Sequence, residues 1–127
     1  FISSGRVPDS GSSWFLPRLV GTLKAFELCT LGSKVSAEEA LRLGLVNQVV
    51  APDQLDEATY ALATRYAQAP TKSIGLIKQM LNKAGASTLD DMLDYEAYCQ
   101  QIAGESADYR EGVQAFLEKR KPQFRGQ

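Results

Sequence analysis

One carboxylate near the start of the chain has neighbours that suit a catalytic group. Asp9 lies between Pro8 and Ser10, and Gly5 and Gly11 bracket the segment. The proline fixes one backbone angle and the glycines free others, so a sharp turn is expected. Apolar side chains flank this turn on both sides: Phe1, Val7, Trp14, Phe15 and Leu16. A carboxylate held among such side chains is poorly hydrated, which suits a group that both takes up and returns a proton.

The same residues also fit a purely structural role. Asp and Ser are preferred helix N-caps, so Asp9 or Ser10 can cap a helix that begins in the apolar residues after them. The two roles are compatible, because a helix N-terminus partly holds the charge of a carboxylate. The residues alone leave capping and proton transfer open.

Composition excludes several other kinds of chemistry. The net charge is −1 and the basic residues are scattered except for residues 119–121, so no nucleic-acid face is predicted. No apolar run reaches the ~18 residues that a bilayer requires. With no histidine and no cysteine pair at metal spacing, no metal site is predicted. As buried free thiols, Cys29 and Cys99 suit a reducing compartment, and a cytoplasmic location is expected.

The 127 residues suffice for one core, with no domain boundary inside the chain. The chain starts at Phe1 without an initiator Met or a signal-peptide pattern, so we expect a piece of a longer protein. Apolar spacing after the Asp9 turn predicts a short helix that is interrupted at Pro17 and closes near Gly21. A second helical piece then stops at Gly32.

A capping box and a strand are predicted next. Ser36 and Glu39 have the spacing at which each side chain accepts the backbone N–H of the other residue. Their helix should end at Gly44, which suits a left-handed conformation. Residues 45–50 are rich in β-branched side chains and predict one short strand, bounded by Pro52.

Helices fill the rest of the predicted chain. They should begin near Pro52, at Pro70, at Ser87 or Thr88, and at Ser106. In the last helix two groups of side chains are expected on opposite sides: Asp108, Arg110 and Glu111 outside, and Tyr109, Val113, Phe116 and Leu117 on an apolar face. These apolar stripes need a surface to cover.

Three pieces of the chain, in this order and spacing, resemble the crotonase superfamily of enoyl-CoA hydratases and isomerases. They are residues 5–11 running into 16–21, residues 36–40 leading to 44–50, and residues 111–122. The resemblance covers essentially the whole chain. It implies an α/β crotonase fold, a spiral of ββα units, of which this chain is the mostly helical C-terminal half with one short strand.

The resemblance also implies a division of roles along the chain. Residues 1–50 would close the spiral core, and residues 51–127 would form a helical region that packs subunits into homotrimers, often paired as hexamers. The turn at residues 7–11, with Trp14 after it and residues 106–112 near the end, resembles the epoxyphenylacetyl-CoA isomerases of phenylacetate breakdown. The implied activity is isomerisation of an acyl-CoA thioester, with coenzyme A as part of the substrate and no separate cofactor.

The resemblance implies different roles for Asp9 and Phe1. Double-bond isomerases carry an acid at the position that matches Asp9, which shuttles a proton while two backbone N–H groups hold the enolate. Those N–H groups belong to segments before Phe1, so this chain alone should be inactive. Hydratases have their second glutamate where this chain has Phe1, and an aromatic ring cannot activate water. Phe1 and Trp14 are expected to line the acyl pocket, although Trp14 can also be plain core.

At the other end of the chain, the resemblance assigns Phe116 and Lys119 to coenzyme A, often in a neighbouring subunit's site. Phe116 would pack beside the base and Lys119 would meet a phosphate. The alternatives are that Phe116 is core and that Lys119, with Arg120, neutralises a helix C-terminus. For the whole protein, the alternatives to an isomerase are an enoyl-CoA hydratase and a non-catalytic helical oligomerisation fragment.

Overall fold

The computed structural model describes residues 2–127, and Phe1, a predicted pocket residue, lies outside them. The helices within this range are α1 (Ser12–Leu31), α2 (Ala37–Arg42), α3 (Leu55–Ala67), α4 (Thr71–Ala84), α5 (Leu89–Gly104) and α6 (Ala107–Leu117). Single 3-10 turns lie at Ile2–Ser4 and Pro52–Gln54. The described residues through Gln54 form one compact unit, and Leu55–Gln127 form a second.

The turn before α1 is built by backbone conformation rather than by a side-chain cap. Gly11 is the N-cap, with a φ of 82°, and Ser10 before it also has a positive φ, of 53°. The prediction that Asp9 or Ser10 caps this helix is therefore wrong. The backbone carbonyl of Asp9, not its carboxylate, accepts hydrogen bonds from the N–H and the hydroxyl of Ser12, at 3.0 and 2.7 Å.

Helix α1 runs through Pro17 and breaks later. The proline removes one helical hydrogen bond but keeps a helical φ, so the predicted interruption there is wrong. The break comes at Gly21, with φ 76° and ψ 160°, where the absence of a side chain permits a left-handed φ. The predicted closure near Gly21 and stop at Gly32 are both observed.

Helix α2 carries half of the predicted capping box. The Ser36 hydroxyl accepts the N–H of Glu39 at 3.2 Å, as expected. The Glu39 side chain does not reach back, because it accepts from the Arg42 guanidinium at 2.6 Å, which lowers the pKa of Glu39. The helix stops as predicted just before Gly44, which follows the C-cap Leu43, has a left-handed φ of 74° and donates to the carbonyl of Leu41.

The predicted strand at residues 45–50 does not form in the structure. Within residues 2–127 there is no strand at all. A strand needs a neighbouring strand to pair its N–H and C=O groups, and the described residues offer none. The mostly helical character that the sequence predicts is otherwise observed.

In the second unit, α4 packs against α5, and α5 contacts α6. Thr88 and Asp91 form a reciprocal capping box at the start of α5, with the Asp91 N–H donating to the Thr88 hydroxyl at 3.2 Å. Ser106 caps α6 by accepting the N–H of Tyr109 at 3.0 Å. Both caps were among the predicted starts, because capping depends on residues three positions apart.

The helices bury little of their own apolar surface. Among the described residues, the buried apolar side chains are Ala25, Cys99 and Ala115, all small. Large apolar side chains remain open, among them Leu23 at 86% exposure and Phe116 at 83%. No helix in this part of the chain combines the length and the apolar character needed to cross a bilayer.

Candidate functional site

The Asp9 carboxylate is exposed and little used by the fold. It accepts one hydrogen bond among the described residues, from the adjacent Ser10 hydroxyl at 3.2 Å. The dry setting expected from Trp14, Phe15 and Leu16 is not formed by residues 2–127, because Asp9 stays exposed and Trp14 and Phe15 are themselves 44% and 59% exposed. The acid is available to a ligand, but nothing in the described chain shields it from water.

Trp14 belongs to a stacked cluster at the start of α1. Its ring meets Phe15 edge to face, with centroids 4.9 Å apart. The Arg18 guanidinium lies 3.6 Å from the Trp14 ring centroid and donates to the Trp14 carbonyl at 2.8 Å. Arg18 was not singled out from the sequence, although its i, i+4 spacing from Trp14 places the two on one helix face. The stack fixes the indole by a cation–π contact.

A small groove of about 330 Å³ opens beside this helix. Its lining residues are Ser10, Ser12, Phe15, Leu16, Leu19, Leu28 and Cys29. Neither Asp9 nor Trp14 is among them. Within residues 2–127, this groove therefore does not join the two predicted site residues.

Phe116 and Lys119, the predicted coenzyme A residues, do lie together at the end of α6. The Lys119 N–H donates to the Phe116 carbonyl at 3.2 Å, and Lys119 has a left-handed φ of 54°. Phe116 is not core within the described chain, being 83% exposed. The Lys119 ammonium has no carboxylate partner among the described residues. An exposed ring and an ammonium without a carboxylate partner among the described residues thus lie three positions apart at the end of α6.

Arg120, the residue after Lys119, is held by ion pairs. Arg120 binds both carboxylate oxygens of Glu111, at 2.6 and 3.0 Å, and also contacts Glu118. Glu111 accepts the Gln123 N–H at 2.8 Å as well. The hydrogen bonds from Arg120 and then from Gln123 lower the pKa of Glu111 to about 2. The sequence predicts Glu111 on the outer face of α6, because its partner lies nine positions away, beyond the helix end.

The burial of Asp108 differs from the prediction. Asp108 was expected on the outer face of α6, but it is 3% exposed. Its carboxylate accepts the N–H groups of Arg125 and Gly126, each at 2.7 Å, and its own N–H donates to the Gln127 carbonyl at 3.0 Å. Residues 125–127 cover this acid. No pattern of neighbouring residues in the sequence predicts that they fold back onto α6.

A larger groove of about 870 Å³ runs along α4, α5 and α6. Its walls are mostly apolar and include Ile77, Met80, Leu93, Phe116 and Phe124. The described residues contain no cluster of three or more side chains suited to bind a metal ion.

Comparison with known proteins gives the family of the chain. Residues 1–127 match the family described as enoyl-CoA hydratase/isomerase. The 1,2-epoxyphenylacetyl-CoA isomerase of Escherichia coli K12 is 48% identical over 99% of this chain and 48% of its own length. A Rhodobacter capsulatus protein named "Probable enoyl-CoA hydratase" is 39% identical over 99% of this chain and 49% of its own length.

The solved structures agree with the sequence relatives. An enoyl-CoA hydratase crystal structure from Geobacillus kaustophilus HTA426 superposes with a TM-score of 0.94 at 39% identity, covering 99% of this chain and 49% of the other. The chain spans about half the length of the curated relatives that it matches. Its helices are those of a crotonase fold, and the chain belongs to the enoyl-CoA hydratase/isomerase family.

Proposed function

We propose that the protein is an acyl-CoA isomerase that shifts a double bond, or opens a ring epoxide, in an unsaturated or phenylacetyl-CoA thioester. Asp9 is the group that moves the proton. The observation that carries this proposal is that the Asp9 carboxylate takes no part in capping α1, because Gly11 is the N-cap without a side-chain hydrogen bond. Within residues 2–127, this acid at a tight turn has only the hydroxyl of its neighbour Ser10 as a partner, so it is free to act on a ligand.

The chemistry requires one carboxylate and no water. For a double-bond shift, Asp9 removes a proton from the carbon next to the thioester carbonyl, and the negative charge moves to the carbonyl oxygen. Backbone N–H groups from segments before this chain hold that enolate. Asp9 then returns the proton to the carbon at the far end of the conjugated system. The substrate and product are isomers, so the enzyme is left unchanged.

The same proposal places the chain as the C-terminal half of a longer enzyme. The half-length coverage of its relatives supports this. The missing half would dry the exposed Asp9 and complete an acyl pocket with Trp14, whose indole is held by Arg18. The open apolar helix faces would pack on that half and on neighbouring subunits of a homotrimer or hexamer.

Coenzyme A enters as part of the substrate, and we assign its nucleotide end to Phe116 and Lys119. The exposed ring offers a surface for the base, and the unpaired ammonium offers a point charge for a phosphate. No separate cofactor is needed. A cytoplasmic location suits the free thiols of Cys29 and Cys99.

An enoyl-CoA hydratase is the second candidate, favoured by the name of the Rhodobacter capsulatus relative. Both activities are measured on the full-length protein: isomerisation of a β,γ-unsaturated acyl-CoA and hydration of crotonyl-CoA. A third assay uses a ring epoxide of phenylacetyl-CoA as the substrate. The proposal expects kcat/KM to be higher for isomerisation than for hydration. Faster hydration would make the protein a hydratase.

A further inference from the structure

The end of α6 contains a conformation that its sequence does not favour. After the C-cap residue Glu118, the Lys119 N–H donates to the Phe116 carbonyl, and the Arg120 N–H donates to the Ala115 carbonyl at 3.0 Å. This pair of hydrogen bonds is the Schellman motif, whose left-handed position is usually glycine. Here that position is Lys119, with a φ of 54°.

A matched motif in the same protein shows the usual solution. Helix α2 ends with Gly44 at the left-handed position, and its N–H donates to Leu41 while that of Leu45 donates to Ala40. A glycine adopts this conformation without steric cost, whereas a residue with a side chain costs about 1–2 kcal/mol there. Lysine at position 119 therefore needs support that Gly44 does not.

The support comes from the next residue. The Arg120 side chain turns back over α6, and its guanidinium binds both oxygens of Glu111 in a paired geometry. Its Nε also donates to Glu118. Because Arg120 directly follows Lys119, fixing Arg120 to the helix fixes the backbone between them.

We propose that the Glu111–Arg120 ion pair is a positioning device that holds Lys119 in its left-handed conformation, so that the Lys119 ammonium meets a phosphate of the coenzyme A ester beside Phe116. This inference rests on the proposed function of Lys119. Glu111 and Arg120 are positioning residues, since they act through Lys119 and do not touch the substrate themselves. Of the three adjacent basic residues 119–121, only Arg120 forms ion pairs in the described chain.

The test uses steady-state kinetics of the full-length protein with two substrates, an acyl-CoA and the same acyl group on pantetheine, which lacks the nucleotide. Three variants are compared: Lys119→Met, Glu111→Gln and Arg120→Lys. The last keeps the charge but loses the paired geometry, so it also serves if Glu111→Gln folds poorly. Lys121→Met is the control, because Lys121 is exposed and adjacent.

All three variants should raise KM for the acyl-CoA by about three- to fivefold, the size expected of a solvent-exposed charge contact, and leave kcat unchanged. KM for the pantetheine ester should stay at the wild-type value. Glu111→Gln combined with Lys119→Met should be no worse than Lys119→Met alone. High salt should reduce the difference in KM for the acyl-CoA between the variants and the wild type, because salt screens exposed charges.

Two results separate this inference from the proposed function. If Lys119→Met has no effect selective for the acyl-CoA, or only the effect of Lys121→Met, the proposed contact of Lys119 with the nucleotide is wrong. If Lys119→Met is selective but Glu111→Gln and Arg120→Lys are not, the positioning role is overturned and the contact stands. Equal KM increases for both esters in the Glu111 and Arg120 variants overturn it too, since they indicate a general structural role.

Discussion

The guanidinium of Arg120 is bound to both carboxylate oxygens of Glu111, with Nη1–Oε1 at 2.6 Å and Nη2–Oε2 at 3.0 Å. The two residues are nine positions apart, and the end of α6 lies between them. Glu111 also accepts the N–H of Gln123, so one carboxylate joins the helix, the reversal after it and the final segment. The C-terminal segment is thus tied to α6 by charge-assisted hydrogen bonds, which are stronger than neutral ones.

This arrangement predicts a pH dependence of stability. The pKa of Glu111 is about 2 in the folded protein, below its ordinary value of 4.5. Since the folded state binds this proton more weakly than the unfolded state, the stabilisation is fully present above about pH 4.5 and is lost as the pH falls toward about 2. The urea midpoint of the wild type should exceed that of Glu111→Gln at neutral pH, and the gap should narrow below about pH 4.5.

Comparing the two proteins removes the contribution of acids that do not interact with Glu111 or Arg120. The pKa values of Glu39 and Asp91 are lowered by hydrogen bonds from Arg42 and Thr88 respectively, and these acids affect both curves alike. Glu118 shares Arg120 with Glu111, so its contribution is part of the measured gap. A gap that stays constant down to low pH contradicts the assignment to Glu111.

Asp108 should matter more for stability than its place on a helix suggests. An amide has one acceptor oxygen where the carboxylate has two, so Asp108→Asn removes the charge and one of the two acceptors that bind the N–H groups of Arg125 and Gly126. We expect a loss of about 1.5–3 kcal/mol in the free energy of unfolding, measured by urea denaturation. Hydrogen exchange at these two amides should also speed up. The control is Asp90→Asn, an exposed acid in the first turn of α5. Equal losses in both variants would disprove the role of Asp108.

Lys119→Gly should separate stability from binding. Glycine adopts the observed φ of 54° without strain, while its added freedom in the unfolded chain offsets part of that gain. The free energy of unfolding should rise by about 0.5–1 kcal/mol, whereas KM for an acyl-CoA should rise because the ammonium is lost. Denaturation and kinetics on the same preparation check both. A destabilised variant, or one with unchanged KM, contradicts the proposal that lysine is kept here for binding.

The sequence predicts features that depend on residues three or four positions apart. The caps at Ser36, Thr88 and Ser106 follow from such spacings, and the stops at Gly32 and Gly44 follow from the ability of glycine to adopt a left-handed φ. Apolar spacing likewise predicts the helices, because a helix satisfies its backbone hydrogen bonds within itself.

What the sequence misses depends on distant partners. Glu111 with Arg120, and Asp108 with Arg125, are brought together only by the reversal after α6, so both acids were assigned to the outside. The strand at residues 45–50 has suitable side chains but lacks a neighbouring strand to pair with in the described chain. The dry setting of Asp9 fails for a similar reason, since apolar neighbours in sequence do not cover it.

Comparing Asp9→Asn with wild type in full-length protein tests proton transfer by Asp9 most directly. The measurement is kcat for isomerisation of a β,γ-unsaturated acyl-CoA, with Asp53→Asn, an exposed acid in the 3-10 turn before α3, as the matched control. An asparagine has nearly the same shape but cannot accept the proton, so kcat should fall by at least about 100-fold while the protein stays folded. Asp53→Asn should keep wild-type kcat. An Asp9→Asn protein with full activity would show that the proton is moved by another group.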